Sequence, residues 1–131
     1  YFGHGAGETI APSKRLLRLP HTPSVAFLMG CSSGKLSAPG DFDPMGTALT
    51  YLGGSTCVVG NLWDVTDRDI DRFALSALGR WGLVAPSFND DDDQEAVSNQ
   101  VAPDLAAAVA SARGDCKFAY LIGAAPVVYG V

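Results

Sequence analysis

Tyr-Phe-Gly-His-Gly-Ala-Gly at residues 1–7 and Phe-Leu-Met-Gly-Cys-Ser-Ser-Gly at residues 27–34 share one design. Each is a short apolar run that stops at glycine, then shows a reactive side chain, then glycine and small residues. In an open parallel sheet, a strand delivers its last residue to the ligand-binding edge in this way. One such edge presents His4 and the next presents Cys31. Glycine on either side permits tight turns and close backbone approach, and leaves main-chain N–H groups to point into a site.

Working outward, a first strand is expected to end at Gly3-His4. Residues 11–23, with Lys14, Arg15, Arg18 and several prolines, read as a loop holding at most a brief helical or hairpin piece. Val25 to Met29 is a continuous apolar run, as in a strand covered on both faces. Residues 34–44 form a Gly/Pro/Ser/Asp loop, and Gly46 to Leu52 a short helix closed by Gly53-Gly54. Cys57 to Trp63 is the third strand. Thr66 then caps a helix in which Ile70, Phe73, Ala74, Ala77 and Leu78 share one face, with Asp69, Asp71 and Arg72 elsewhere. Asp67 and Asp69 suit the positive end of that helix. A second helix is expected from Leu105 to Arg113, opened by Pro103-Asp104, then a late strand or hairpin at Phe118–Ile122 and Val127–Tyr129. Strands alternating with helices through glycine-rich turns indicate an α/β layered fold, a mostly parallel sheet flanked by helices.

The chain has 131 residues, 47% of them hydrophobic, enough for one domain with a real core. A net charge of −5 argues against direct nucleic-acid binding, which needs a basic stripe. Much of the acidity is local: Asp90 to Asp93 with Glu95 read as part of a flexible acidic insertion near 86–103, a metal or partner site being the other reading. Three cysteines without a CxxC pair, and two histidines, describe neither a disulfide framework nor a metal cluster, so no metal and no cofactor is expected. Free thiols point to a reducing intracellular compartment. No run is long enough for a membrane span and no signal peptide opens the chain. Residue 1 already lies inside an apparent strand, so the chain reads as part of something longer.

A thiol and an imidazole side by side are the minimum equipment of a cysteine nucleophile. The backbone N–H groups of Gly5 and of Cys31 itself are the candidate oxyanion donors. Ser32 and Ser33 are small, so substrate can come close. Histidine precedes cysteine, the order of caspases and the reverse of papain-like enzymes. Cys57, opening a strand, and Cys116, after a helix, read as small hydrophobes. His21 reads as a loop residue. Gly-His-Gly-Ala-Gly-Glu has neither the GxGxxG nor the GxxxxGK[ST] pattern of a phosphate-cradling loop.

GHGAGE at 3–8, LMGCSSGKL at 28–36, Gly-Asp-Phe-Asp-Pro-Met-Gly-Thr at 40–47 and VVGNLWDVTDRDIDRF at 58–73 together resemble the C-terminal protease domain of separases. The motifs occupy residues 1–73 in the family's order, and the last is long and distinctive. The resemblance implies a caspase-like fold, of which residues 1–131 would be the C-terminal part, with two strands of the sheet upstream. It implies a cysteine endopeptidase that cuts after arginine in the kleisin subunit of cohesin, releasing sister chromatids at anaphase in the cytoplasm and nucleus. His4 matches the family's histidine and Cys31 its nucleophile, acting as a dyad. Securin is the inhibitory partner it implies.

A substrate guanidinium needs a carboxylate, ideally a bidentate one. Asp64 is the first candidate, with Trp63 as a wall against the peptide. Asp67 is second, its other reading being a helix N-terminal acid, and Asp41 and Asp43 are third. Two other readings stand beside this one: another caspase-like peptidase of the CHAT type, and a catalytically silent caspase-like scaffold.

Overall fold

The computed structural model describes residues 1–21, 24–36, 50–84 and 104–130. The acidic run at 90–95, and the loop carrying Asp41 and Asp43, lie outside the described residues, as does the start of the helix expected at Gly46–Leu52, whose last turn is present at 50–52. The elements in chain order are α1 (Ser13–Leu16), β1 (Val25–Leu28), β2 (Cys57–Asn61), α2 (Asp67–Arg80), α3 (Leu105–Ala112), a 3-10 turn (Arg113–Asp115) and β3 (Pro126–Gly130).

The sheet has the order β1-β2-β3. β1 pairs parallel with β2 in the register Val25↔Cys57, and β2 pairs antiparallel with β3, Asn61 opposite Pro126. A further parallel rung lies outside β1. The Tyr1 amino group donates to the Phe27 carbonyl at 2.7 Å, and the Met29 N–H donates to the Tyr1 carbonyl at 2.8 Å. That is the bond pattern of a single parallel rung; the strand expected to end at Gly3-His4 is not formed beyond it, and Gly3 and His4 lie in a bend.

Alternate residues of the strands face opposite layers, as the pleat requires. Cys57 and Val59 join the larger core with Met29, Ile70, Phe73, Ala74, Ala77, Leu105, Val109 and Ala112. Val58 and Leu28 face the other side, against Ala6, with Ala26, Tyr51, Leu52 and Tyr129 packed around them. Helix α2 buries positions 70, 73, 74 and 77, one stripe at helical spacing. Phe73 is fully buried at its centre, so truncation to alanine costs about 3–5 kcal/mol. The helix stops in a Schellman motif: Gly82 takes φ 83°, its N–H bonds the Gly79 carbonyl, and the Leu83 N–H bonds the Leu78 carbonyl at 2.9 Å.

Four other expectations for these elements change. The sheet is mixed, because β3 returns antiparallel to β2. Phe118–Ile122 is a series of turns rather than a strand. Its apolar side chains Phe118, Tyr120 and Leu121 are exposed, so its hydrophobicity reflects no buried strand face. Asp69 lies inside, 3% exposed, because it accepts the N–H groups of Lys117 and Phe118 at 3.2 and 3.1 Å. Thr66 holds the N-cap position with extended backbone, but its side chain makes no cap bond. Asp104 does cap α3, accepting the Ala106 N–H. Cys57 and Cys116 are free and buried.

Candidate active site

The site begins at a contact between backbones. A Cβ placed on Gly30 would lie 2.1 Å from the Gly5 carbonyl oxygen and 2.5 Å from that of Gly3. Only a residue without a side chain lets the turn that carries Cys31 approach the turn that carries His4 this closely. The structure therefore brings these two sequence candidates onto adjoining turns at one edge of the sheet. His4 is exposed, and its carbonyl accepts the Tyr1 hydroxyl at 2.9 Å.

Cys31 is half-buried and its thiol donates to the Val65 carbonyl at 3.3 Å. Among the described residues, the N–H groups of Gly5 and Cys31 have no hydrogen-bond partner. Gly5 takes φ 63° and Ser32 takes φ 53°. The left-handed conformation costs a serine about 1–2 kcal/mol, and two bonds hold it there. The Ser32 N–H donates to the Trp63 carbonyl at 3.1 Å, and its hydroxyl donates to Asp64 Oδ1 at 2.8 Å. Ser33 does not face substrate. It is buried, donating its hydroxyl to the Leu28 carbonyl and accepting the Asn61 N–H at 3.0 Å.

Asp64 and Trp63 thus stand beside the Cys31 turn, both exposed to solvent. The Trp63 indole also donates to the Leu121 carbonyl at 2.8 Å, tying the 117–124 turns to the same rim. Asp67 is the exposed first residue of α2, three residues after Asp64, and makes no hydrogen bond or ion pair to the Cys31 turn among the described residues. No group of three metal-ligating side chains converges among the described residues.

Sequence reasoning missed two residues. Asn61 is fully buried, and its side-chain amide donates to the Gly30 carbonyl at 3.0 Å. Asp69 anchors the 117–124 turns from the first turn of α2. A polar residue closing an apolar strand was the available signal for Asn61; Asp69, which also pairs with Arg72 three residues on, gave no signal for its burial, because the N–H groups it accepts lie 48 and 49 residues away.

The turns that carry His4 and Cys31 thus adjoin at one edge of a small α/β domain built on a mixed sheet flanked by helices. The family described as "Separin, protease domain" matches residues 1–70. The chain belongs to that family. It is similar to the separin of Emericella nidulans, 48% identical over 132 residues, and to that of Schizosaccharomyces pombe, 46% identical over 135. These alignments cover 100% of this chain but 6% and 7% of those relatives. It is also similar to the crystal structure of the Saccharomyces cerevisiae separase–securin complex, with a TM-score of 0.78 and 41% identity. That match covers 100% of this chain and 8% of the other. The chain spans less than a tenth of the length of the proteins it matches.

Proposed function

We propose that this chain carries the catalytic dyad of an arginine-directed cysteine endopeptidase acting on the cohesin kleisin subunit. The observation that carries the reading is the backbone contact of Gly30 with Gly3 and Gly5, which sets the His4 and Cys31 turns together in a chain of the separin protease-domain family. A caspase-like layering of the complete domain belongs to the same proposal.

In this reading His4 takes the proton of the Cys31 thiol, which leaves the Val65 carbonyl, and the thiolate attacks the scissile carbonyl carbon. A C–S bond forms as the carbonyl electron pair moves to oxygen, where the N–H groups of Gly5 and Cys31 hold it. Collapse expels the amine, which takes its proton from His4, and leaves a thioester. His4 then removes a proton from water, whose attack frees the acid and returns the thiol. Such proton transfers contribute roughly 10²–10⁴ in rate.

Asp64 is the carboxylate proposed for the substrate arginine. Its bond from Ser32 fixes it next to the nucleophile and leaves its second oxygen available. Trp63 forms the wall beside it, and Asp67 is the second candidate. A securin-type inhibitor is the proposed partner, supported by the complex in which the similar yeast chain was solved. Cytoplasm and nucleus are the proposed locations.

The test is a peptide ending in arginine with a thiol-reactive warhead, applied to the full protein carrying this segment. Labelling mapped to Cys31, lost in Cys31→Ser and strongly reduced in His4→Ala or with a non-basic terminal residue, supports the reading. Equal labelling of Cys31, Cys57 and Cys116 would leave a scaffold.

A further inference from the structure

Asn61 is committed to the Cys31 turn by every polar group it has paired. Its N–H donates to the Ser33 hydroxyl at 3.0 Å, its carbonyl accepts the Gly34 N–H at 2.8 Å, and its Nδ2 donates to the Gly30 carbonyl at 3.0 Å. The last bond has a chemical consequence. The Gly30 carbonyl and the Cys31 N–H belong to one peptide group, which is planar and trans, so its two polar ends point in opposite directions. Drawing the carbonyl inward onto a fully buried amide aims the N–H outward, to the side of the nucleophile. A hydrogen bond to the carbonyl also polarises the N–H at the other end of the same group.

We infer that Asn61 is the positioning residue of the oxyanion hole: its side-chain amide fixes the Gly30–Cys31 peptide so that the Cys31 N–H meets the developing negative charge. The inference rests on the proteolytic reading above and adds a residue to it. The Gly30 carbonyl also accepts the Ser33 N–H at 3.3 Å, so the Asn61 amide makes the shorter of two bonds to it, and Asn61 Oδ1 is buried with no partner among the described residues.

The test uses the full protein with Asn61→Leu, which keeps the volume and removes the donor, and Asn61→Ser as a second variant should the first not fold. Three readings are compared: steady-state cleavage of an arginine peptide, the rate at which iodoacetamide alkylates Cys31, and the affinity of an arginine peptide aldehyde. Alkylation displaces iodide without forming an oxyanion, whereas the aldehyde adds the thiol and forms one. Loss of an oxyanion donor predicts a fall in kcat of about 10²-fold with KM nearly unchanged. Alkylation should proceed at the parent rate while the aldehyde weakens in step with kcat. A parallel fall in alkylation and kcat, or an aldehyde that binds as before, overturns the inference. A parent protein that neither cleaves arginine peptides nor labels at Cys31 instead overturns the proteolytic reading.

Discussion

The carboxylate of Asp69 accepts the backbone N–H of Phe118 at 3.1 Å, joining the first turn of α2 to a segment 49 residues further on. The neighbouring N–H of Lys117 reaches the other oxygen at 3.2 Å. The two bonds seat the 117–124 turns, and those turns present the Leu121 carbonyl to the Trp63 indole. A buried acid on the helix thereby determines where the rim of the site stands.

Replacing Asp69 by alanine strands two N–H groups and removes charge-assisted bonds worth together about 2–3 kcal/mol. Hydrogen exchange across 117–124 should then accelerate by roughly 10²-fold, with β1 and β2 still protected. Unchanged exchange in 117–124 would mean that the turns are seated by something else.

Gly30→Ala should separate the two candidate turns. Its methyl group would lie 2.1 Å from the Gly5 oxygen, a distance no Cβ tolerates. Overpacking of this kind costs about 1–3 kcal/mol, more than the gain of about 0.4–1 kcal/mol that a glycine-to-alanine change brings at an unstrained position. The arginine warhead should lose its dependence on His4 in this variant while simple alkylation of Cys31 persists.

The three thiols should react in a fixed order. Cys31 is half-buried, whereas Cys57 and Cys116 are 8% and 5% exposed. Burial raises the Cys116 pKa above its ordinary range, with the charges of Asp69 and Asp115 adding to the effect. Iodoacetamide at neutral pH should modify Cys31 first and Cys116 only when the fold opens, as peptide mapping of a time course would show.

Asp115 gives a pH signature of known sign. The hydrogen bond from Ser76 first, then those of Arg80 and its charge, lower its pKa from the ordinary 3.8. The folded state binds fewer protons than the unfolded state in that window. Its contribution is therefore present above the unfolded value and lost as pH falls through the folded one. The pair with Arg80, at 3.2 Å, is about half exposed on both sides, so solvent screening keeps the effect small. Acid unfolding curves of the parent and Asp115→Asn should differ slightly near neutrality and converge below the folded pKa.

What the sequence displayed was local. The glycine-flanked turns at His4 and Cys31, the strands at Val25–Leu28 and Cys57–Asn61 and the stripe of α2 all follow from spacing within a few residues. The roles of Asn61 and Asp69 did not show themselves, because the backbone groups their side chains bind lie 31 to 49 residues away. Phe118 to Ile122 misled because apolar content does not distinguish a buried strand from turns that expose Phe118, Tyr120 and Leu121. Ser33 looked like a small residue at a cleft, yet its hydroxyl is spent inside the turn. The reverse direction of β3 depends on how the chain crosses the sheet, which no short pattern encodes.

Gly34 and Gly60 lie back to back: a Cβ on Gly34 would come within 2.7 Å of the Gly60 carbonyl carbon, and one on Gly60 within 2.9 Å of the Gly34 Cα. The Tyr129 hydroxyl closes the same contact with a bond of 2.7 Å to the Gly34 oxygen. Here main chain rests on main chain, and point mutation has nothing it can vary. Under the proposed reading, the side chains left open to change lie in the rim, at Trp63, Asp64 and the exposed positions of 118–121, while the backbone seat beneath the thiol has no room for one.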